Sequence, residues 1–391
     1  MDIAVTEKTG AAIQRAIDAV AASGGGTVLI GPGTYPSGTL WMKSHVELRL
    51  AAGAVLLGSA DWRDYDDFDH PNLPVTPEGS RKCFIACADA ENVSITGAGE
   101  INGQGPLFYD RNVPPGEFFP KPAHPRTRMI QFFNCRNVRF EGVSFVDSPG
   151  WTMWLCECTE VHVDRIRITG CQQMINNDGI DFDACRNVTV SNSFFRTGDD
   201  CLILRAIRRG SDLPAVCENV LVSNCVLDSP CQGIRIGCPS DDTIRYCQFH
   251  DLVLHCRGNG ILSQHPEWYL RKDCTGYAHI HDLSFKNCDI DCGRSPILVR
   301  CGDGIALRGI HDLVFEDLRI RAQEPIFLVG NAASVLENIS LNNISGTVEN
   351  GTPLAAGFVR RLKIDRFDLT AETGEMKPLV RRSSASWETQ F

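Results

Sequence analysis

The chain has 391 residues, 43% of them hydrophobic, and a formal net charge of −10. That length supports a large core, and the acidic balance argues against a nucleic-acid or anionic-membrane surface. No apolar run reaches spanning length, and the first residues lack a basic region followed by an apolar one, so a cytoplasmic protein is expected.

The chain carries 18 cysteines but no CxxC pair. A chain this long has no need of disulfide staples, and zinc-ligand spacing is missing. Many cysteines recur at equivalent places of a repeat, such as Cys135, Cys185 and Cys217, and again Cys225 and Cys288. They are expected to be small buried hydrophobes stacked in ladders.

In chain order, residues 9–22 read as an amphipathic helix with Ile13, Ile17 and Val20 on one face. Thr9 is its expected N-cap, and Gly24-Gly25-Gly26 stops it. Strand-like segments follow at Thr27–Ile30, Thr39–Met42 and Val46–Leu50. A helix placed before a stack of strands suits a plug for an exposed sheet end.

A theme then recurs, Asn-Val-x-Val/Ile-x-Asn/Gly, often after Cys or another small residue. Its first apolar positions include Val138, Val161, Val188, Val220, Cys247, Leu283, Leu313, Ile339 and Leu362, in steps of 23 to 36 residues. Each unit offers two or three short strands, and no long helical segment intervenes after residue 22. Alternating β/α units are thereby excluded, and the steps are too short and uneven for propeller blades. The expected fold is all-β, a parallel β-solenoid of about ten rungs forming one domain over residues 1–391. Asparagines at fixed turn positions are expected to form side-chain ladders. Two segments interrupt the repeat. Residues 103–127 carry six prolines and several aromatics, and residues 264–279 carry Trp268, Tyr269, Arg271 and Lys272. Both are expected to wall a cleft. Trp151 and Trp154 are expected to be core, or a sugar-stacking surface, with core favoured for one of them.

The chemistry concentrates in residues 176–205. Asn176-Asn177-Asp178-Gly179 is followed by Gly198-Asp199-Asp200, so Asp178 lies 21 residues before Asp199 and 22 before Asp200. If that distance is one repeat, three carboxylates stack on neighbouring rungs. Carboxylates so close do not all ionise normally, which yields an acid and a base in one site. Read singly, either motif is an ordinary Asp-Gly turn; two, one repeat apart, favour catalysis.

These residues resemble glycoside hydrolase family 28, the polygalacturonase-like right-handed parallel β-helix enzymes. The family pattern Asn-Thr-Asp-Gly-(Ile/Phe)-Asp appears as Asn176–Asp181 with Asn177 in place of Thr. Gly-Asp-Asp-Cys is intact at Gly198–Cys201, as is Ser-Pro-x-Trp-Thr at Ser148–Thr152. The resemblance implies that Asp199 is the general acid, and that Asp178 and Asp200 hold and activate a water on the opposite face of the sugar. That is an inverting hydrolysis, with no cofactor and no metal. Two departures stand out. Gln232 replaces the histidine of Gly-His-Gly, and Gly260–Gln264 lacks both cations of Arg-Ile-Lys.

The reading is an exo-acting inverting glycosidase that cleaves a plant cell-wall, pectin-related or other oligosaccharide and is not a standard polygalacturonase. Substrate contacts are expected from Asn176, Arg205, Gln232, Arg235, Gln264, His265 and Trp268. Three alternatives stay open: a galacturonide hydrolase that uses Arg205 and Arg235, a Ca²⁺-dependent lyase, and a non-catalytic carbohydrate-binding solenoid.

Overall fold

The computed structural model describes residues 1–73, 80–208, 214–237, 240, 242–267 and 278–371. The chain winds as a parallel β-helix, with strands stacked in parallel from one coil to the next. One sheet has eleven strands and the other nineteen. Eleven strands in one sheet agree with the expected count of about ten rungs.

The helix runs over Gly10–Ala22, with Thr9 accepting a hydrogen bond from the Ala12 N–H at 3.2 Å. Ile13, Ala16, Ile17 and Val20 are buried. Gly24, Gly25 and Gly26 all take positive φ, which a residue with a Cβ rarely tolerates and which breaks the helix there. A strand at Asp2–Val5, pairing with Gly26–Ile30, was not read from the sequence. Among the described residues, no helix is long and apolar enough to cross a membrane.

Regularity comes from columns of like side chains. Val138, Val161, Val188 and Val220 stack on successive coils. Phe249, Phe285 and Phe315 stack face to face, with centroids 4.9 and 5.1 Å apart. Each such side chain, fully buried, contributes about 1.5–3 kcal/mol relative to exposure. Asparagines at the turns adopt positive φ, which their short polar side chain tolerates. The ladders follow: Asn137 donates to Asn92, Asn219 to Asn187 and Asn224 to Asn192, at 2.6–2.9 Å. Cysteines behave as expected. All 16 described ones are free, and 15 are buried. Cys225 and Cys288 share a column with Leu252 between them.

The eleven-stranded sheet positions the site. Its central strands are Arg128–Phe133, Met153–Cys156, Ile180–Asp183, Leu202–Arg205, Ile234–Ile236 and Ile261–His265. Alternation sends Met153, Leu155, Ile180, Phe182, Leu202 and Leu204 into the interior core. Trp154, Asp181 and Arg235 take the outward positions between them. Trp151 and Trp154 are both buried, but in a second cluster with Phe68, Ala86 and Phe133 on the outer side of this sheet. Both are thus core residues, where core was favoured for one, and neither is an exposed stacking surface.

Candidate active site

Two turns place the three carboxylates. Ile180 pairs with Leu202, and Leu202 with Ile234. Asp178, Asp200 and Gln232 therefore occupy equivalent positions on three successive coils, about 4.8 Å per step. Asn177 ties the first turn to its neighbours. It is fully buried, donates to Ser148 O at 2.8 Å and accepts from the Gly198 N–H at 3.0 Å.

Asp199 accepts from the Asn176 N–H at Oδ2, 2.9 Å, and from the Asp200 N–H at Oδ1, 3.0 Å. Asp200 accepts from the Gln232 N–H at 3.1 Å and from Arg235 Nη1 at 2.8 Å. Asp178 is 3% exposed, and its Oδ1 has no hydrogen-bond partner. Burial, then the neighbouring Asp200 charge, pushes Asp199 up to about 6, against the pull of Arg235, the Asn176 N–H and the Cys231 thiol. Burial also drives Asp178 well above the usual carboxylate range, helped by Asp199, Asp181 and Asp200. Protons in this trio belong to the cluster as a whole.

Acceptors continue along the column. Gln232 Oε1 accepts from both the N–H and the side-chain amide of Asn259 at 2.8 Å, and Asn259 Oδ1 accepts from the Ser295 N–H at 3.2 Å. The residue standing where the family pattern has histidine is thus a rung in an amide ladder that leads from Asp200.

A buried charge pair supports the site from the outer face. Arg205 Nη2 lies 2.8 Å from Asp181 Oδ1, with side-chain exposures of 5% and 0%. The Arg205 guanidinium also sits 4.4 Å from the Trp151 ring, and Arg128 lies over both tryptophans. Burial pushes Asp181 up to about 7 even though Arg205 pulls it down.

The 103–127 segment reaches the site through residues the sequence reading did not single out. Arg126 donates to Ile175 O at 2.7 Å, to Asn176 Oδ1 at 2.8 Å and to the Tyr109 hydroxyl at 2.9 Å. Phe119 N–H donates to Gln173 O at 2.7 Å. Arg126 therefore fixes the residue whose N–H holds Asp199. Nothing in local sequence signals this, because Arg126 lies 50 residues before Asn176. Cys231 was also missed: its sulfur and the nearest oxygens of Asp199 and Asp200 lie within 4.8 Å of one another.

The expected substrate contacts divide. Asn176, Gln232 and Arg235 gather around the trio. Arg205 is close by but committed to Asp181. Gln264 sits farther along the sheet, paired in register with Arg300. His265 takes the inward register, paired with Cys301 of the interior core, and its ring contacts Ser263 Oγ at 3.2 Å. The structure thus turns His265 away from the outer face on which contact was expected; strand alternation puts residues 261, 263 and 265 on one side. Trp268 lies outside the described residues, as does most of the 264–279 segment.

This donor set suits proton transfer better than a hard cation. Ca²⁺ takes six to eight oxygens, whereas here a thiol and a guanidinium stand among the carboxylates. The arrangement does not fit the Ca²⁺-dependent lyase alternative.

The profile of glycosyl hydrolases family 28 matches residues 74–261, the segment that holds both motifs. A probable polygalacturonase of Arabidopsis thaliana is 28% identical over 224 residues, covering 57% of this chain and 43% of that protein. The chain thus spans less than half the length of this relative. An exopolygalacturonase of Zea mays is 21% identical, covering 95% of this chain and 80% of its own. Among solved structures, an exopolygalacturonase of Thermotoga maritima superposes with a TM-score of 0.77 at 18% identity, covering 95% of this chain and 92% of that one. The motifs, the stacked coils and these likenesses agree: residues 74–261 match glycoside hydrolase family 28, and the chain is similar to the polygalacturonase-like parallel β-helix proteins of that family.

Proposed function

We propose that the chain is an inverting, exo-acting glycosidase for a pectin-related oligosaccharide whose sugar at the cleavage subsite is not galacturonate. Asp199 carries the proton below about pH 6 and delivers it to the glycosidic oxygen as the C–O bond breaks. A water held against Asp178 and Asp200 attacks the anomeric carbon from the opposite face and gives up its proton to one of them. The observation that carries this reading is the trio itself: three carboxylates on two adjacent coils, one pushed to about 6 and one left with an unpartnered buried oxygen. A cluster of like charges with no use would cost stability without return, which argues against a non-catalytic solenoid.

The galacturonide alternative asks Arg205 and Arg235 to grip a substrate carboxylate. Each guanidinium is already 2.8 Å from a protein carboxylate, Asp181 and Asp200 respectively. A uronate would have to compete with a buried partner, which supports a different sugar. A cytoplasmic setting belongs to the same proposal and suits short imported oligosaccharides. The test is hydrolysis of a panel of plant and bacterial oligosaccharides, with products followed by mass and anomeric NMR. Release of single terminal units from neutral or mixed substrates is expected. Turnover of di- or trigalacturonate alone would transfer the assignment to the galacturonide hydrolase, and random internal cuts in a polymer would remove the exo assignment.

A further inference from the structure

Far along the coil from the acidic trio, three histidines meet on the nineteen-stranded sheet. His281 and His311 pair in register on adjacent coils, and His279 lies opposite Gly309. Ring centroids are 4.3 Å apart for His279 and His281, 5.0 Å for His279 and His311, and 4.9 Å for His281 and His311. The hydrolytic reading uses none of them.

Two of the rings are oriented alike. His281 Nδ1 lies 2.7 Å from Asp282 Oδ2, and His311 Nδ1 lies 2.6 Å from Asp312 Oδ2. A neutral imidazole that donates from Nδ1 carries its lone pair on Nε2, and a carboxylate on the far nitrogen is how proteins orient and strengthen a metal-ligating histidine. The Nε2 atoms of His279 and His311 lie 2.9 Å apart and share a proton in a hydrogen bond that an ion would replace. With metal–nitrogen bonds of about 2.1 Å, that spacing gives an N–metal–N angle of about 90°, whereas a tetrahedral ion would need about 3.4 Å. Gly309 leaves the approach open: a Cβ there would stand 3.3 Å from the His311 ring and 3.5 Å from that of His279. The neighbouring cations are engaged elsewhere, Arg245 with Glu218 and Arg308 with Asp242.

We propose that His279 and His311 bind a late first-row divalent ion of square or octahedral preference, Ni²⁺ or Cu²⁺, through Nε2, the ion displacing the proton that the two nitrogens share. The His281 ring stacks on that of His311 within 12° of parallel and, held by Asp282, buttresses it.

The test uses the full chain, without an affinity tag and stripped with chelator. Ni²⁺ is titrated calorimetrically, and Cu²⁺ is followed by electron paramagnetic resonance for nitrogen coupling. One saturating ion with nitrogen coupling is expected. His279→Ala and His311→Ala should each weaken it by about tenfold or more, and Asp312→Asn, which keeps the ring but removes the negative carboxylate, should also weaken it. His250→Ala, which removes a separate histidine–aspartate pair at 2.7 Å, should change nothing. Non-saturating uptake, or equal loss in the His250 variant, would mean an adventitious ion only and would overturn the site. Chelated samples melted in parallel show which variants are folded; Asp312→Asn decides if an alanine variant is not.

Discussion

Arg126 offers the sharpest test of how the fold prepares the acid. Arg126→Gln removes three donors of 2.7–2.9 Å that hold Ile175, Asn176 and Tyr109. Hydrogen bonds from a charged donor contribute about 1.5–3 kcal/mol each, and three that share one side chain do not add fully, so a loss of about 3 kcal/mol in stability is expected. The functional consequence passes through Asn176. Its N–H donates 2.9 Å to Asp199 Oδ2, and a shift of the acid by about 1 Å lowers turnover by about a hundredfold. Losing that hydrogen bond to the ionised form also raises Asp199 further, so the alkaline limb of the kcat profile should move above about pH 6. Arg126→Lys should recover part of the rate. The assays are urea melts, pH–rate profiles and a ¹³C titration of the Asp199 carboxyl. The titration reads the coupling even in the absence of a known substrate. An unmoved Asp199 in a folded Arg126→Gln protein would refute the reasoning.

Other consequences follow from the same geometry. Arg205→Met should cost about 3–5 kcal/mol by leaving Asp181 buried and unpaired, with much of that recovered in the Asp181→Asn, Arg205→Met double variant; additive losses in urea melts would contradict the pairing. Asp181 and Asp199, raised to about 7 and about 6, bind more protons folded than unfolded between about pH 4 and 7. Their contribution is therefore fully present at low pH and lost as pH rises through that window, and Asp181→Asn should flatten the fall in Tm across it. Gln232→Ala should cost about 2 kcal/mol by stripping the acceptor from the Asn259 N–H, as read by Tm, and should lower kcat by loosening the column that ends on Asp200.

Much of this was legible because the β-helix repeats its chemistry in sequence. Asn187 and Asn219 occupy the same turn of successive coils, and the ladder between them follows from that equivalence. The trio was legible for the same reason, since a spacing of one repeat places Asp178 level with Asp200. What the sequence hid depends on register or on distance along the chain. The phase of alternation at Ile261–His265 sets His265 inward, and five residues do not reveal that phase. Arg205 reads as a cation free for substrate until its guanidinium is found 2.8 Å from Asp181. The strand at Asp2–Val5 is too short to declare itself before its partner is known. Asp181 was inside a recognised motif, yet its role as the partner of Arg205 came only from the pairing of two coils.

The most direct measurement is the anomeric NMR of products from the wild type beside Asp199→Asn, on the oligosaccharide that the panel identifies. Cleavage by the wild type with inversion at the anomeric carbon, and a variant slower by at least about a hundredfold, is the predicted result. A retained anomer, or a variant as fast as the wild type, would contradict the assignment of Asp199 as the acid of an inverting site.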